Sequence, residues 1–171
     1  MNVAAMHGEL ELVRWLHEHR HEGCTRDAMD HAAACGYLAV VEWLHANRRE
    51  GCTKKAMNRA ASNVHLDVVR FLHEHRREGC TSDGIYGAAL HGHLEVVQWL
   101  FRHRSEGHVG VALRAAAQNG HLPVVEWLYE IVSKQRRGES GIREAASLAD
   151  EAGHVVVSIY LQKQTKRRRL Q

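Results

Sequence analysis

The stretch AALHGHLEVVQWL, residues 88–100, returns 28 positions later as AAQNGHLPVVEWL, residues 116–128. A recurrence at an interval of roughly 20–50 residues is typical of chains built from stacked repeats. The same interval separates alanine pairs, pairs of branched apolar residues and leucines along the chain. It also separates a row of large aromatic residues: Trp15, Trp43, Phe71, Trp99 and Trp127.

Each repeat is predicted to form two α-helices. In the second repeat, Thr25 is a favourable N-cap, and Ala32 and Ala33 follow on one face of a helix. Gly36 is predicted to end this helix in a left-handed conformation, after which Val41 and Leu44 mark the apolar stripe of a second helix. A pair of helices cannot bury its apolar face alone, so neighbouring pairs must stack.

The branched and aromatic residues are expected to fill the space between repeats. If Trp43 is buried there, its replacement by alanine should cost about 3–5 kcal/mol.

The pattern AAxxGHLEVVxWL resembles the ankyrin repeat over nearly the whole chain. Two departures stand out: the interval is 28 rather than about 33 residues, and DAMD, KAMN, DGIY and VALR replace the family's TPLH. The missing residues fall in the connection, where the family projects a β-hairpin finger. The resemblance therefore implies an all-α, ankyrin-like solenoid of helical pairs, about five to six stacked repeats with shortened or absent fingers.

The predicted organisation is a repeat array over residues 1–162, followed by a basic tail over residues 163–171. In the last repeat Asp150 and Ser158 replace an inward alanine and valine, as in a polar capping repeat. Its register is ambiguous because the pair at 145–146 competes with Ala149. The repeats span roughly 1–22, 23–50, 51–78, 79–106, 107–134 and 135–162.

Val64 stands where the other repeats place the turn glycine. If that position requires a positive φ, a β-branched residue there costs on the order of 1–2 kcal/mol.

The cysteines of the recurring EGCT segments are predicted to pack at the turns. Stacked helices lie roughly 8–10 Å apart, whereas a disulfide requires Cα atoms within about 7 Å. A zinc site requires ligands at about 2–2.3 Å from one ion. Cys24, Cys52, Cys80 and, in the fourth position, His108 should therefore form a line rather than a cluster.

The segment HEHRH, residues 17–21, matches the HExxH pattern of zinc hydrolases, in which His17 and His21 would bind zinc and Glu18 would act as a base. The other repeats carry HANRR, HEHRR and FRHRS at this place, and no third ligand is evident. We therefore expect no metal, no cofactor and no enzymatic activity, and keep a zinc hydrolase only as a third hypothesis. The resemblance implies a structural hydrogen-bonding role for the residue that follows the turn glycine, which is a histidine in several repeats.

Charge is unevenly distributed along the chain. The net charge is +3, and five of the 23 basic residues lie after the last acidic residue, Glu151. The rest of the chain has 18 basic and 20 acidic residues. The nearly neutral body argues against nucleic-acid binding. The second hypothesis is a nuclear protein whose tail contacts nucleic acid or another anionic surface, or serves as an import signal, through Lys163, Lys166, Arg167, Arg168 and Arg169.

No stretch is apolar enough for a membrane span and the N-terminal residues do not resemble a secretory signal, so an intracellular location, cytoplasmic or nuclear, is expected. The leading hypothesis is a non-enzymatic scaffold that binds a protein partner, with no small-molecule substrate. Positions that vary between repeats lie on the first helices, which by resemblance line the concave binding face. They are Arg26, Asp27, Asp30, Lys54, Lys55, Asn58, Arg59, Ser82, Asp83, Tyr86, Leu90, His91, Arg114, Gln118 and Asn119.

Overall fold

A computed structural model describes residues 1–21, 23–135 and 138–169. These residues form twelve α-helices and no β-strand, in agreement with the all-α prediction. The helices form six successive pairs. Their bounds are α1 (Asn2–Met6), α2 (Leu10–His19), α3 (Arg26–Ala34), α4 (Leu38–Asn47), α5 (Lys54–Ser62), α6 (Leu66–His75), α7 (Ser82–Leu90), α8 (Leu94–His103), α9 (Val109–Gln118), α10 (Leu122–Val132), α11 (Gly138–Glu151) and α12 (Val155–Arg169).

The chain divides into two compact units, Met1–Gly84 and Ile85–Gln171. In the first unit α1, α3 and α5 pack side by side, and α2, α4 and α6 form a second row beside them. In the second unit α9 packs against α11, while α10 contacts both α8 and α12. Each unit is therefore a stack of helix pairs, with the first helices in one row and the second helices in another.

The core of each stack is made of small and branched side chains. Ala32 and Ala33 of α3 are 0% exposed, and Val40, Val41 and Leu44 of α4 are at most 1% exposed. Alanine lets the first helices approach closely, and the branched residues fill the space behind them. The predicted alanine and valine rows are thus confirmed as the interior.

The aromatic row lies at the margin of this core, which corrects the expectation that it fills the space between repeats. Trp15 is 47% exposed, and Trp43 and Phe71 are only partly buried. Their rings pack on histidines instead: the Trp15 and His19 rings are stacked with centroids 4.6 Å apart. Because alanine and valine already close the interface, the large rings are left at its edge. The cost of about 3–5 kcal/mol for Trp43→Ala assumes full burial and is too high here.

The turn inside each repeat has one geometry. In the second repeat Gly36 has φ 78°, the Tyr37 N–H donates to Ala32 O at 2.9 Å, and the Gly36 N–H donates to Ala33 O at 3.2 Å. This is the Schellman pattern of a helix ended by a left-handed residue. The predicted glycine cap is confirmed, and the alanine pair supplies both acceptor carbonyls.

Val64 adopts the same turn without being glycine. Its φ is 66°, the only positive φ of a non-glycine residue in the described ranges. The His65 N–H still donates to Ala60 O at 2.9 Å, but the Val64 N–H lies 3.5 Å from Ala61 O. The predicted positive φ is confirmed, and the longer second bond is consistent with strain at a β-branched residue.

The last pair resolves the ambiguous register. The His154 N–H donates to Ala149 O at 2.7 Å, so Ala149 and Asp150 occupy the positions of the alanine pair. Ser158 is 1% exposed, and its hydroxyl lies 3.3 Å from Asp150 Oδ1, so the two polar replacements satisfy each other. Helix α12 continues to Arg169, through the position where the sequence predicts a separate tail to begin.

We predict that Val64→Gly stabilises the protein by about 1–2 kcal/mol, because glycine adopts the left-handed conformation without steric cost. Urea unfolding followed by circular dichroism measures the change. Val64→Ala is the matched control, since alanine retains Cβ and should recover much less. Equal or lower stability of the glycine variant relative to wild type would contradict this account of the turn.

Candidate functional site

Helices α3 and α5, two of the first helices of unit 1, begin in the same way. The Thr25 hydroxyl accepts a hydrogen bond from the Asp27 N–H at 3.2 Å, and the Thr53 hydroxyl accepts one from the Lys55 N–H at 3.1 Å. These caps satisfy N–H groups that the helix itself leaves unpaired. They fix where α3 and α5 begin, and so which side chains stand in the exposed first turn.

A row of side-chain bonds joins each first helix to the cap of the next. Both Asp30 carboxylate oxygens are used: Oδ1 accepts from the Thr53 N–H at 2.7 Å and Oδ2 from the Thr53 hydroxyl at 2.6 Å. Asn58 bonds the same two groups of Thr81: its Oδ1 accepts from the Thr81 N–H at 2.9 Å, and its Nδ2 donates to the Thr81 hydroxyl at 2.8 Å. We call this the cap ladder; its third member is the pair Asn2 and Thr25.

The cap ladder changes how two predicted binding residues are interpreted. Asp30 is 2% exposed, and Asn58 is partly buried. Because their polar groups hold neighbouring repeats together, we leave both out of the binding surface proposed below.

The other predicted residues of unit 1 are at the surface. Asp27, Lys54, Lys55, Arg59 and Asp83 are exposed, and Ser82 is partly buried. Arg26 is also exposed, and its Nε donates to Glu50 O at 3.2 Å, which holds its side chain towards the start of α5. Unit 1 therefore presents a polar first-helix surface in which cations are concentrated on α5.

In unit 2 the predicted residues on α7 and directly after it include an exposed aromatic side chain. Tyr86 is 41% exposed. The imidazole of exposed His91 donates from Nδ1 to Gly87 O at 2.9 Å and stacks on His93 at a centroid distance of 5.9 Å. Leu90 is partly buried, and its carbonyl accepts from His121 Nε2 at 2.8 Å. This last bond confirms, for His121, the structural role that the resemblance implied.

Further along unit 2 the predicted residues are more constrained. Arg114 forms an ion pair with Glu144 at 3.2 Å, joining α9 to α11. Gln118 and Asn119 are exposed, and Asn119 Nδ2 donates to Ala115 O at 2.9 Å. The predicted binding residues are thus divided between the two units.

The structure reveals an ion-pair row that sequence reasoning missed. Arg76 binds Glu78 at 2.5 Å, and the second Glu78 oxygen accepts from the Arg77 N–H at 3.0 Å. A Cβ built at Gly51 would lie 2.1 Å from Arg76 Nη2, so the guanidinium rests against the turn of the preceding repeat. The signal was present as a recurring R-x-E-G, and the same pairing joins Arg48 to Glu50 and Arg104 to Glu106.

Burial at this row shifts the ionisation of its members. Burial raises the pKa of the Cys52 thiol to about 12, so the thiol stays protonated and unreactive. Burial is the largest single influence on the Glu78 carboxyl and acts to raise its pKa. The hydrogen bonds from Arg76 and from backbone N–H groups, together with the positive charge of Arg76, outweigh burial, so the pKa lies below its ordinary value. Cys52 and Cys80 are buried at the turns, and Cys24 is partly buried.

The HExxH segment does not have the geometry of a zinc site. Helix α2 ends at His19, so His21 does not share a helix face with His17. His17 accepts a hydrogen bond from Arg48 Nη1 at 3.2 Å and lies edge-on to Trp43 at 5.2 Å. Within residues 1–21, 23–135 and 138–169, no three His, Cys, Asp or Glu side chains are close enough to hold a metal ion.

The predicted basic tail belongs to helix α12. Lys163, Lys166 and Arg167 are exposed on this helix. The side chains of Arg168 and Arg169 lie outside the described residues. Among the helices of the described ranges, none is both long and apolar enough to cross a membrane.

Two family models match the chain. One, described as ankyrin repeats (many copies), matches residues 2–45. The other, described as ankyrin repeats (3 copies), matches residues 29–110 and 57–138. No curated protein matches the chain.

We predict that Glu78→Gln lowers the free energy of unfolding by about 1–2 kcal/mol at neutral pH, because the amide cannot replace the charged bond to Arg76. The folded-state pKa of Glu78 lies below the usual 4.5, so its stabilisation is present above pH 4.5 and is lost as the pH falls through the folded value.

The difference between wild type and Glu78→Gln should therefore shrink as the pH falls below 4.5, as measured by urea unfolding across that range. Exposed Glu74 on α6 provides the control, since Glu74→Gln removes the same charge away from the row. A difference that stayed constant into acid would be incompatible with the assigned bond.

Proposed function

Because the chain belongs to the ankyrin-repeat family, we propose that it is a non-enzymatic scaffold that binds a protein partner through the exposed side chains of its first helices. Ankyrin repeats are in general protein–protein interaction modules and are typically non-catalytic. In the family's arrays the first helices line the concave side, and the proposal carries that assignment over to this chain.

The division between engaged and unengaged side chains supports this surface. Rows that recur from repeat to repeat serve the stack: the alanine pairs are buried, and the glutamates at the turns bind arginines. Several first-helix side chains have no such role, including Lys54, Lys55 and Tyr86. Side chains that a stack exposes without using are available for recognition.

The observation that carries the proposal is the break in the cap ladder at Tyr86. Thr25, Thr53 and Thr81 each bond an Asn or Asp of the preceding repeat. In the next repeat Val109 replaces the threonine, and Tyr86 stands where the ladder residue would be. Tyr86 is released from the stack and is 41% exposed, and exposed tyrosines are enriched among the residues that dominate binding energy.

Basic and aromatic side chains provide further contacts. Arg59 is exposed on α5, and His91 is exposed directly after the end of α7, the helix that carries Tyr86. Arg114 is available in part, since its guanidinium already pairs with Glu144. Binding would rest on polar contacts around the tyrosine anchor, as in non-obligate protein interfaces.

We predict that Tyr86→Ala weakens partner binding by roughly 30-fold or more, the effect of losing an anchor of about 2 kcal/mol. Because the ring is largely exposed, the melting temperature should change little. Affinity capture with isotope-labelled quantification identifies proteins retained by wild type and lost by the variant, and calorimetry with each purified candidate measures the affinity.

Gln98→Ala on α8 is the matched control, since it alters the row of second helices in the same unit. The assignment of this surface would be refuted if Tyr86→Ala retained every partner as well as wild type does. It would also be refuted if Gln98→Ala lost the same partners as Tyr86→Ala.

A further inference from the structure

Helix α5 carries an unusual concentration of positive charge. It contains Lys54, Lys55 and Arg59 and no acidic residue, and all three side chains are exposed. Among the described residues, these side chains form no hydrogen bond or ion pair. The fold therefore leaves three neighbouring cations uncompensated on one helix.

These cations oppose the local stability of the helix. Lys54 and Lys55 occupy the first turn, where the helix dipole favours acidic residues and disfavours basic ones. The neighbouring first helices follow the rule, with Asp27 in α3 and Asp83 in α7 at the position that Lys55 holds in α5. Lys55 and Arg59 also lie four residues apart, a spacing at which like charges repel.

Among the described helices of unit 1, only α5 carries a net positive charge. The described second helices α2, α4 and α6 carry five acidic residues, Glu11, Glu18, Glu42, Asp67 and Glu74, and only two basic residues, Arg14 and Arg70. General basicity of the chain does not explain such a distribution. A sequence that breaks a local rule at one place, without compensation in the fold, commonly does so for function.

We propose that the α5 basic surface, formed by Lys54, Lys55 and Arg59 with Arg26 of α3, binds an acidic segment of a protein partner. The inference rests on the proposed function and specifies the chemistry of the partner. Arg26 joins the surface because its Nε bond to Glu50 O, at 3.2 Å, holds it beside the start of α5.

The surface fits clustered carboxylates. Lys55 and Arg59 are one helical turn apart, so their side chains begin roughly 5–6 Å from each other. The planar guanidinium of Arg59 suits a bidentate carboxylate, and the two lysines provide point charges around it. The acidic segment of the partner would lie along α5 and not across the stack, because Asp27 and Asp83 on the neighbouring first helices would repel it there.

The same observations favour a protein segment over nucleic acid. Neither α3 nor α5 contains a phenylalanine, tyrosine or tryptophan on which bases could stack. Asp27, next to Arg26 in the sequence, is exposed. Its negative charge would repel a phosphate backbone that ran along several repeats. A short carboxylate cluster avoids that repulsion.

Fluorescence anisotropy with labelled synthetic peptides tests the proposal. The probe is a peptide rich in Asp and Glu, and its reference is a peptide of the same length with Asn and Gln in their place. All proteins are full-length chains in which Lys163, Lys166, Arg167, Arg168 and Arg169 are replaced by glutamine, so that α12 does not contribute to anion binding.

The background chain should bind the acidic peptide roughly tenfold or more tighter than the amide peptide, and Lys54→Glu with Lys55→Glu should remove that preference. The same variant should melt at an unchanged or higher temperature, because glutamates suit the first turn of a helix. Loss of binding together with retained stability separates recognition from folding.

The matched control is Arg14→Glu with Arg70→Glu, which changes the net charge equally on α2 and α6 and should retain the preference. Equal loss in both double variants would overturn the proposal, as would equal affinity of the background chain for the two peptides. Tighter binding of single-stranded DNA through Lys54 and Lys55 would also overturn it and assign the surface to nucleic acid.

The outcome is separable from that of the broader proposal. A partner that depends on Tyr86 but is unaffected by Lys54→Glu with Lys55→Glu leaves the protein-binding function standing and refutes the acidic segment. Selective acidic-peptide binding, with no Tyr86-dependent partner, supports the α5 basic surface and refutes the tyrosine anchor.

Discussion

Burial of each helix pair against its neighbours is the constraint on which the structure depends. A pair of helices has too little interior to fold alone, and the interior shared between pairs is made mainly of alanine and valine. The alanine pair has a second use, because the carbonyls of Ala32 and Ala33 accept the hydrogen bonds of the turn at Gly36. Close packing and the reversal of the chain are therefore set by the same two residues, which explains why alanines and glycine recur together.

Much of this fold could be predicted from the sequence, because periodicity reports which positions serve every interface. The two helices, the glycine turn and the positive φ of Val64 follow from comparing one repeat with the next. Periodicity does not show, however, how deeply a side chain is buried. Trp15 recurs as regularly as Ala33, yet one is 47% exposed and the other is 0% exposed. A position can be constant because it lies at the rim of an interface as well as because it lies inside it.

The candidate site was less predictable, since variation between repeats has two physical origins. Asp30 and Asn58 differ from each other, which suggested free surface, but either side chain can accept from the threonine that follows. The hydrogen-bonding role of this position is the same in both repeats, although the residue differs. The change to Tyr86, together with Val109, abandons the bond. Similarly, basic residues near the end of a helix commonly interact with its dipole, yet α4 ends at Asn47 and Arg48 pairs with Glu50 beyond it.

Helix α5 breaks local rules at both of its ends. Lysines occupy its first turn, and the turn that ends it places Val64 at φ 66° with 55% of that side chain exposed. The neighbouring pairs show that a compatible residue is available at each place, since Asp27 and Gly36 occupy the equivalent positions of the second repeat. Stacking therefore explains neither exception. Strained backbone and uncompensated charge commonly cluster at functional sites in proteins. In this chain both occur in the third repeat, on α5 and in the turn that follows it. On the proposed function, recognition in such a stack is local: most repeats supply the support, and a helix that departs from the common pattern supplies the contact.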